Sequence, residues 1–391
     1  MTRRLYYEDS FIRDFTATVL ECRPAEDGRY LAVLDSTAFF PEGGGQYADT
    51  GLIGGGRVLD VQETDGAILH TVDAPLKEGE TYRCSIDWDQ RFRRMQCHTG
   101  EHIVSGIGHR LYGYDNVGFH LGADYVTLDF DGPLTREQLD RVEDLAAEAV
   151  FARLPVETSF PAPEELPSME YRSKLDLTEN VRIVTIPGVD ACACCAPHVR
   201  NTGEIGLIKI LDFAKHKQGV RLFMTAGFRA LEDYRARYTQ AAEISSLLAT
   251  PQAEIAEGVK RLQEENSQLR YDLNGERTRS ALVRFEASGA EKYPSGNAVF
   301  FTEGLDYPAL IAIADKGKNG CEGMLGIFSA NEDGGYKYVI ISNNINLSQR
   351  AKAINQAISG RGGGRPNMIQ GMCSAPEAEI KAFFAQDSFT L

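Results

Sequence analysis

The sequence has few of the features that mark secreted or membrane proteins. Its eight cysteines are too few to crosslink 391 residues through disulfides. No apolar run approaches the roughly 18 residues that a transmembrane helix requires, and the first residues lack the apolar segment of a signal peptide. We therefore expect a cytoplasmic protein with no membrane partner.

Positive charge is also in short supply. The chain carries 41 Lys and Arg against 56 Asp and Glu, a net charge of −15. A general nucleic-acid coat needs clustered cations, so that class is disfavoured, although local basic patches still allow one specific RNA partner. The contents of 43% hydrophobic and 25% charged residues are ordinary for a globular protein.

Histidine is scarce, yet three of the seven histidines fall in two short segments. His98 and His102 are four residues apart, and Cys194 and His198 repeat that spacing about ninety residues later. On a helix, side chains at this spacing share one face. Zinc takes nitrogen and sulfur ligands in tetrahedral geometry, so the four residues predict one Zn²⁺ site. The neighbouring Cys195 is an alternative sulfur ligand.

Glu101 lies between the two helix histidines. His-x-x-Glu-His is also the inverted zinc-protease pattern, in which the glutamate activates water. A protease would need a third, carboxylate ligand from a later helix, whereas this chain offers a thiolate and an imidazole. The protease is therefore the least favoured alternative. Glu101 is a candidate general base, or a carboxylate that orients an imidazole.

Four protein ligands would close the zinc site, as in structural sites, whereas hydrolysis needs an open position for water. Three interpretations follow. In the first, an arm such as His198 or Cys194 is loose or the coordination expands to five ligands during the reaction. In the second, the zinc mainly positions the substrate. In the third, the zinc is structural and the protein is a binding module.

A third segment of interest is Thr37–Gln46, which contains Gly43, Gly44 and Gly45. It is equally consistent with a wide hairpin loop and with a substrate loop. In a substrate loop, glycine N–H groups would hold ribose or phosphate oxygens, and Gln46 would add an amide.

Periodicity predicts an α+β multidomain protein. We expect an N-terminal β-barrel over residues 1–90, a zinc-binding α+β domain over 91–227, a helical connector over 228–288 broken at Pro251, and a C-terminal α/β domain over 289–391. In the second domain, Thr135 is the expected N-cap of a helix. In the last domain, we predict that residues 309–313 form a buried strand.

The connector contains a short heptad seam whose core positions are Ile255, Val259, Leu262, Asn266, Leu269 and Leu273. An asparagine at an a-type position fixes register at some cost in stability. The seam either pairs two chains as a homodimer or folds back on the preceding helix.

Together these segments resemble the alanyl-tRNA editing family, which comprises the freestanding AlaX proteins and the editing domain of alanyl-tRNA synthetase. The similarity rests on the Thr37–Gln46 run, the histidine pair, the Cys194/His198 pair and the segment after it. The C-terminal run around Gly362–Gly364 is similar to the DHHA-type domain that ends alanyl-tRNA synthetase. In place of the family's usual Gly-Gly-Thr before His198, this chain has Cys195-Ala196-Pro197.

The resemblance implies a DHHA-type domain at residues 289–391. It also implies an editing hydrolase that deacylates mischarged tRNA(Ala), chiefly seryl-tRNA(Ala), with glycyl-tRNA(Ala) as the alternative substrate. It implies zinc on His98, His102, Cys194 and His198. Thr37 would sense the serine hydroxyl, because a pocket shaped for alanine rejects one added hydroxyl poorly. Contacts with the tRNA are expected from Arg361, Gly362, Gly363, Gly364 and Arg365.

Overall fold

We analysed a computed structural model that describes residues 2–173, 180–331 and 334–386. The protein is mixed α/β and multidomain, and it separates into two compact units, Met1–Ala241 and Ala242–Leu391. Among the helices in these described ranges, none combines the length and the apolar character that crossing a bilayer requires.

The first part of the N-terminal unit is a closed barrel. Its elements are β1 (Arg3–Arg4), α1 (Leu5–Glu8), β2 (Asp14–Pro24), β3 (Tyr30–Leu34), β4 (Ser36–Thr37), β5 (Gly51–Ile53), β6 (Gly56–Thr64), β7 (Ala67–Val72) and β8 (Thr81–Ile86). Six strands close in the order β2-β3-β7-β6-β5-β8, while β1 and β4 form a separate parallel pair. Along β7, Ile68, His70 and Val72 alternate into the core, so one histidine lies among apolar side chains.

The second part surrounds one long helix. Its elements are α2 (Trp88–Tyr112), β9 (Asn116–Leu121), β10 (Val126–Phe130), α3 (Arg136–Phe151), β11 (Glu157–Ser159), β12 (Ile183–Ile186), β13 (Asp190–Ala193), β14 (Ile208–His216) and β15 (Gly219–Ala226). One antiparallel sheet has the order β14-β15-β10-β9, and a smaller one has the order β11-β12-β13.

Helix α2 begins at Trp88 because Asp87 caps it, accepting a hydrogen bond from the Gln90 N–H. The helix is buried on all sides from Met95 to Gly108. A glycine permits its closest approach to a neighbour: a Cβ on Gly106 would lie 2.4 Å from the carbonyl oxygen of Val189, just before β13. The histidine-bearing face of α2 is thereby brought against β13.

The expected cap of α3 is confirmed. The Thr135 side chain accepts from the Gln138 N–H, and the Gln138 side chain returns a bond to the Thr135 N–H. This reciprocal pair satisfies two backbone donors that the helix start would otherwise leave unpaired.

Two helices occupy the predicted connector. They are α4 (Phe228–Leu247) and α5 (Ile255–Ser288), and the break between them contains Pro251, as the sequence predicts. On α5, the seam residues Val259 and Leu269 are 39% and 67% exposed. The seam is therefore an open apolar stripe in the described chain.

The C-terminal unit contains a six-stranded sheet. Its elements are β16 (Glu291–Lys292), β17 (Ala298–Glu303), α6 (Tyr307–Gly317), β18 (Leu325–Ala330), β19 (Tyr336–Ile341), α7 (Leu347–Ala357), β20 (Gly360–Arg365), β21 (Met368–Cys373) and α8 (Glu377–Ala385). The strand order is β16-β17-β18-β19-β21-β20, with β17 and β18 parallel and the other pairs antiparallel.

The prediction of a strand at residues 309–313 is wrong, because this segment belongs to helix α6. Asp306 caps the helix by accepting from the Ala309 N–H at 3.0 Å, and Pro308 occupies its first turn. A short apolar run fits a buried helix as well as a buried strand, and the cap and the proline decide between them.

Candidate metal centre

The structure brings the two distant segments together. One ligand atom from each of His98, His102, Cys194 and His198 lies within 4.8 Å of all the others. Helix α2 supplies the first two, and the loop after β13 supplies Cys194 and His198. The pair on α2 shares one face because its members are one helical turn apart.

Two of the distances between ligand atoms match the edges of a metal tetrahedron. Cys194 Sγ lies 3.6 Å from His98 Nε2 and 3.4 Å from His198 Nε2. Zn–S bonds of about 2.3 Å and Zn–N bonds of about 2.0 Å give a nitrogen-to-sulfur edge of roughly 3.6 Å in a tetrahedron. The donor set of three imidazoles and one thiolate is also one that zinc accepts.

Each imidazole is held at the nitrogen that faces away from the centre. His98 Nδ1 lies 3.0 Å from Gln46 Oε1, His102 Nδ1 lies 3.0 Å from Asp190 Oδ2, and His198 Nδ1 lies 3.0 Å from Thr99 Oγ1. The Gln46 carbonyl oxygen and the Asp190 carboxylate only accept, so they fix an N–H at the Nδ1 that each contacts. The Thr99 hydroxyl bonds His198 at the same ring position. The Nε2 lone pairs are then left for a metal, as is typical of metal-binding histidines.

Asp190 is itself anchored. Its carboxylate accepts two bonds from Arg172, at 2.8 and 2.9 Å. Burial would raise the pKa of Asp190, but its bonds with His102 and Arg172 hold that pKa below the ordinary value. The group therefore stays ionised and orients the His102 ring.

The electrostatics of the ligands favour a cation. Burial acts to raise the pKa of Cys194, but the interaction with His98 and the hydrogen bonds with His102 and His198 bring that pKa well below its usual value. Burial lowers the pKa of His198 to about 3, which keeps that ring neutral. Burial acts to lower the pKa of His102, but the bonds with Asp190 and Cys194 raise it above normal, so metal binding must release this proton.

The cysteine loop is fixed by Arg182, at the start of β12. The Arg182 carbonyl accepts from the Cys194 N–H at 3.0 Å, and its Nη1 donates to the carbonyls of Cys194 and Ala196 at 2.9 Å. Ala196 is buried in the barrel core. The loop is thus clamped between the barrel and β12.

Between the two possible sulfur ligands, the structure places Cys194 in the centre. The Cys195 sulfur lies in the cavity wall instead, 3.4 Å from where a Cβ on Gly44 would be. Burial raises the pKa of Cys195 to about 11, so its thiol stays protonated at neutral pH.

A cavity of about 560 Å³ opens beside the ligands. Its lining includes Tyr7, Gly44, Gly45, Glu101 and Arg182, together with His98, His102 and Cys194. A second cavity of about 930 Å³ shares Val117, Arg172, Ser173 and Cys192 with the first. The candidate metal centre therefore faces a cavity of the size that small-molecule ligands occupy.

The predicted glycine loop is a tight turn. Gly43 and Gln46 exchange two backbone hydrogen bonds, at 3.0 and 3.1 Å, and both Gly44 and Gly45 have positive φ. A Cβ on Gly45 would also lie 2.6 Å from the Phe119 ring. Glycine is required at Gly45 for its backbone angle and for its space.

Thr37 is in the barrel core and is fully buried. Its hydroxyl lies 2.8 Å from His70 Nε2 and accepts from the Phe39 N–H at 3.2 Å. Since His70 Nδ1 donates to the Ala32 carbonyl, Thr37 donates to Nε2. Within the described residues, the lining of the cavity does not include Thr37, so the structure does not bring this predicted sensor to the ligands.

Glu101 is placed beside the metal ligands. It is buried and lines the cavity, and its Oε2 lies 3.9 Å from His102 Nε2. In the protease pattern a carboxylate would complete the ligand set, whereas here Cys194 and His198 occupy those places.

The predicted tRNA contacts belong to the C-terminal unit. Arg361 to Arg365 lie in the exposed edge strand β20, next to a groove of about 650 Å³ lined by Ser348, Lys352, Asn355 and Arg361 among others. Asn355 Nδ2 donates to the Gly362 carbonyl at 2.9 Å and fastens this strand to α7.

Sequence reasoning did not single out Thr99, Asp190, Arg172 or Arg182. Asp190 and Arg172 come from separate segments and meet only in the fold. Thr99 could have been found from the sequence, because it lies in the helical turn between His98 and His102. A polar residue there can reach a neighbouring ligand.

Two family models match the chain. The model described as the threonyl and alanyl tRNA synthetase second additional domain matches residues 181–223. The class II (A) tRNA synthetase model matches residues 7–90.

The chain is also similar to individual proteins, one of them over nearly its whole length. The chain is 31% identical to the alanyl-tRNA editing protein AlaX-L of Pyrococcus horikoshii, over 97% of this chain and 96% of that protein. It is 34% identical to the alanyl-tRNA editing protein Aarsd1 of Rattus norvegicus, over 66% of this chain and 67% of that protein. It is 32% identical to an alanine--tRNA ligase of Ignicoccus hospitalis, over 74% of this chain but only 33% of the ligase.

Proposed function

The chain belongs to the alanyl-tRNA editing protein family, and we propose that it hydrolyses mischarged tRNA(Ala) at a zinc centre. The substrate we propose is seryl-tRNA(Ala), with glycyl-tRNA(Ala) as a second one. The observation that carries this proposal is the convergence of three Nε2 atoms and one thiolate beside a cavity, with an oxygen at every Nδ1.

The residues present fit zinc in type, number and spacing. When bound, zinc would polarise the ester carbonyl and favour ionisation of a nearby water. The protein's part is to hold the ester and to move one proton. Glu101 is the carboxylate placed for that transfer, because it lines the cavity and its Oε2 lies close to His102.

The cavity volume supports an aminoacylated adenosine as the ligand. The backbone of Gly44 and Gly45 forms one wall, where the lack of side chains allows close approach of ribose. Tyr7 and Arg182 line the same cavity, with the guanidinium 5.5 Å from the ring centre. An aromatic ring and a guanidinium together are suited to stacking on a base.

Thr37 remains our proposed serine sensor through its position in the Thr37–Gln46 segment. Its hydroxyl is engaged by His70, so sensing requires Thr37 to exchange His70 for the substrate hydroxyl. A Thr37→Val variant keeps the shape of the side chain and removes the hydroxyl. We expect it to narrow the ratio of seryl to alanyl hydrolysis.

A tRNA-binding module with a structural zinc is the second candidate, because four protein ligands close the coordination sphere. The two candidates differ in turnover. The test is hydrolysis of preformed seryl-tRNA(Ala), with alanyl-tRNA(Ala) as the matched control. Release of serine in excess over alanine supports editing. Retention of tRNA without release of serine supports the binding module and contradicts editing.

The exposed edge strand β20 is our proposed tRNA contact in the C-terminal unit. Arg361 and Lys352 flank a groove whose backbone is unobstructed at Gly363, where an added Cβ would meet nothing within 4 Å. Cations beside bare backbone suit a phosphate chain. An Arg361→Glu/Lys352→Glu variant should bind tRNA(Ala) more weakly and lose part of its salt dependence.

The exposed heptad seam on α5 supports a parallel homodimer. Taking Val259 as an a position places Glu265 at g and Arg270 at the e position that faces it across the two chains. These opposite charges would attract, whereas like charges would oppose pairing. A Leu262→Glu/Leu269→Glu variant should elute as a monomer when the parent elutes as a dimer. A monomeric parent chain contradicts the pairing.

A further inference from the structure

Glu101 has two carboxylate oxygens with different surroundings. Oε2 lies on the side of the metal ligands, 3.9 Å from His102 Nε2. Oε1 is turned toward the next turn of α2 and the start of β9. The side chain is 4% exposed, so its orientation is set by protein contacts.

Two neighbours hold Oε1. Ser105, one helical turn further along α2, donates its hydroxyl to Oε1 at 2.7 Å. Asn116, the first residue of β9, donates through Nδ2 to the same Oε1 and to the Ser105 hydroxyl, the latter at 2.8 Å. Ser105 and Asn116 are both buried.

The orientation of the Asn116 amide is fixed as well. Its Oδ1 accepts from the Gly118 N–H at 3.1 Å, so Nδ2 must face Glu101. Strand β9 has a register shift at this point, where Asn116 pairs with Phe130. A strand irregularity thus aims a side chain at the buried carboxylate.

We propose that Asn116 and Ser105 are positioning residues that hold Glu101 with Oε2 directed at the reacting water. This inference rests on the proposed deacylation. Two donors on one oxygen resist rotation of the carboxylate, because rotation would break both bonds. Neither residue lines the cavity beside the ligands, although Asn116 lines the adjoining second cavity. Both residues contact Glu101 and act through it.

In the reaction that these residues support, water attacks the carbonyl carbon of the seryl ester, and one proton of that water passes to Oε2 of Glu101. The tetrahedral species then breaks the bond between the carbonyl carbon and the ribose oxygen. That oxygen takes the proton from Glu101, which leaves serine and a tRNA with a free hydroxyl.

The test compares Asn116→Leu and Ser105→Ala with the parent chain in hydrolysis of seryl-tRNA(Ala). Misplacing a general base by about 1 Å costs up to roughly 100-fold in rate. We expect kcat to fall about 10- to 100-fold, with KM and zinc content unchanged. Ser329→Ala is the control, since Ser329 is an equally buried serine in the C-terminal unit.

A double-variant comparison separates positioning from a general structural effect. When Asn116 acts only through Glu101, the Asn116→Leu change has no further effect in a Glu101→Gln background. The inference would be overturned if the double variant lost kcat by the product of the two single losses. It would also be overturned if kcat were unchanged in both Asn116→Leu and Ser105→Ala. If Asn116→Leu does not fold, Ser105→Ala alone decides.

Failure of the proposed function gives a different result. A parent chain that releases no serine from seryl-tRNA(Ala) rejects the deacylase and this inference together. An active parent chain with unaffected Asn116→Leu and Ser105→Ala variants rejects the inference alone.

Discussion

The imidazole of His98 and the side-chain amide of Gln46 are joined by a hydrogen bond of 3.0 Å between Nδ1 and Oε1. This bond ties the Gly43–Gln46 turn to helix α2 at the metal centre. It also fixes the proton of His98 on Nδ1, so that Nε2 is left to face the sulfur of Cys194.

Removing the Gln46 amide should therefore weaken metal binding. We expect Gln46→Ala to lower zinc affinity about 10- to 100-fold, the range typical of partners that orient a ligand. Competition with a chromophoric chelator measures the affinity. Gln62→Ala is the matched control, because Gln62 bonds only Glu42 and Asp60 among the described contacts. Equal affinities for the two variants would argue against a supporting role of Gln46.

The two adjacent cysteines should differ completely in their effect on metal. Cys194→Ser removes the thiolate that lies between the imidazoles, and we expect the dialysed protein to lose its zinc. Cys195→Ser changes a protonated thiol in the cavity wall and should retain the metal. Elemental analysis after dialysis distinguishes them. If only Cys195→Ser lost the metal, Cys195 would be the sulfur ligand and Cys194 would not.

The Gly43–Gln46 turn should not accept a side chain at Gly45. Its φ of +79° and the closeness of Phe119 both oppose a Cβ. We expect Gly45→Ala to reduce the free energy of unfolding by about 1–3 kcal/mol, as is typical of a strained left-handed residue. Gly55→Ala is the control, since an added Cβ there meets nothing within 4 Å. Urea unfolding of both variants checks the difference.

The buried His70 should make the barrel sensitive to acid. Burial lowers its pKa to about 4, whereas the unfolded chain takes up the proton near pH 6.5. Stability is thus complete above about pH 6.5 and falls as the pH drops toward 4. At pH 5 the loss is about 2 kcal/mol. His70→Gln should show a shallower fall in unfolding free energy between pH 7 and pH 5. Parallel pH curves would refute this source of acid lability.

The candidate metal ligands could be predicted from the sequence because a scarce residue type, histidine, recurs at a spacing of four residues. His98 and His102 define a helix face by themselves, and the second pair needs only a short loop. The residues that support these ligands could not be predicted, because they come from separate segments and share no spacing. Asp190 and Arg172 have no sequence pattern. Asp190 reaches His102 because Gly106 lets β13 approach α2, and Arg172 bonds Asp190 in turn.

Local features of the fold could be predicted from the sequence, whereas features that depend on distant residues could not. The cap of α3 is local, because it is formed by Thr135 and Gln138, which are three residues apart. The apolar run at Ala309–Ile313 has no such periodicity, and Asp306 with Pro308 decides for a helix. The hydrogen bond between Thr37 and His70 joins residues more than thirty positions apart, which no local pattern reveals.

Zinc-dependent deacylation is tested most directly by measuring serine release from seryl-tRNA(Ala) in three states of the parent chain. These are the protein as isolated, the protein after its metal is removed, and the protein after one equivalent of Zn²⁺ is returned. We predict that serine release stops on metal removal and recovers with zinc, while the Cys194→Ser variant stays inactive throughout. Serine release that continues at full rate in the metal-free protein would contradict a catalytic role for the centre formed by His98, His102, Cys194 and His198.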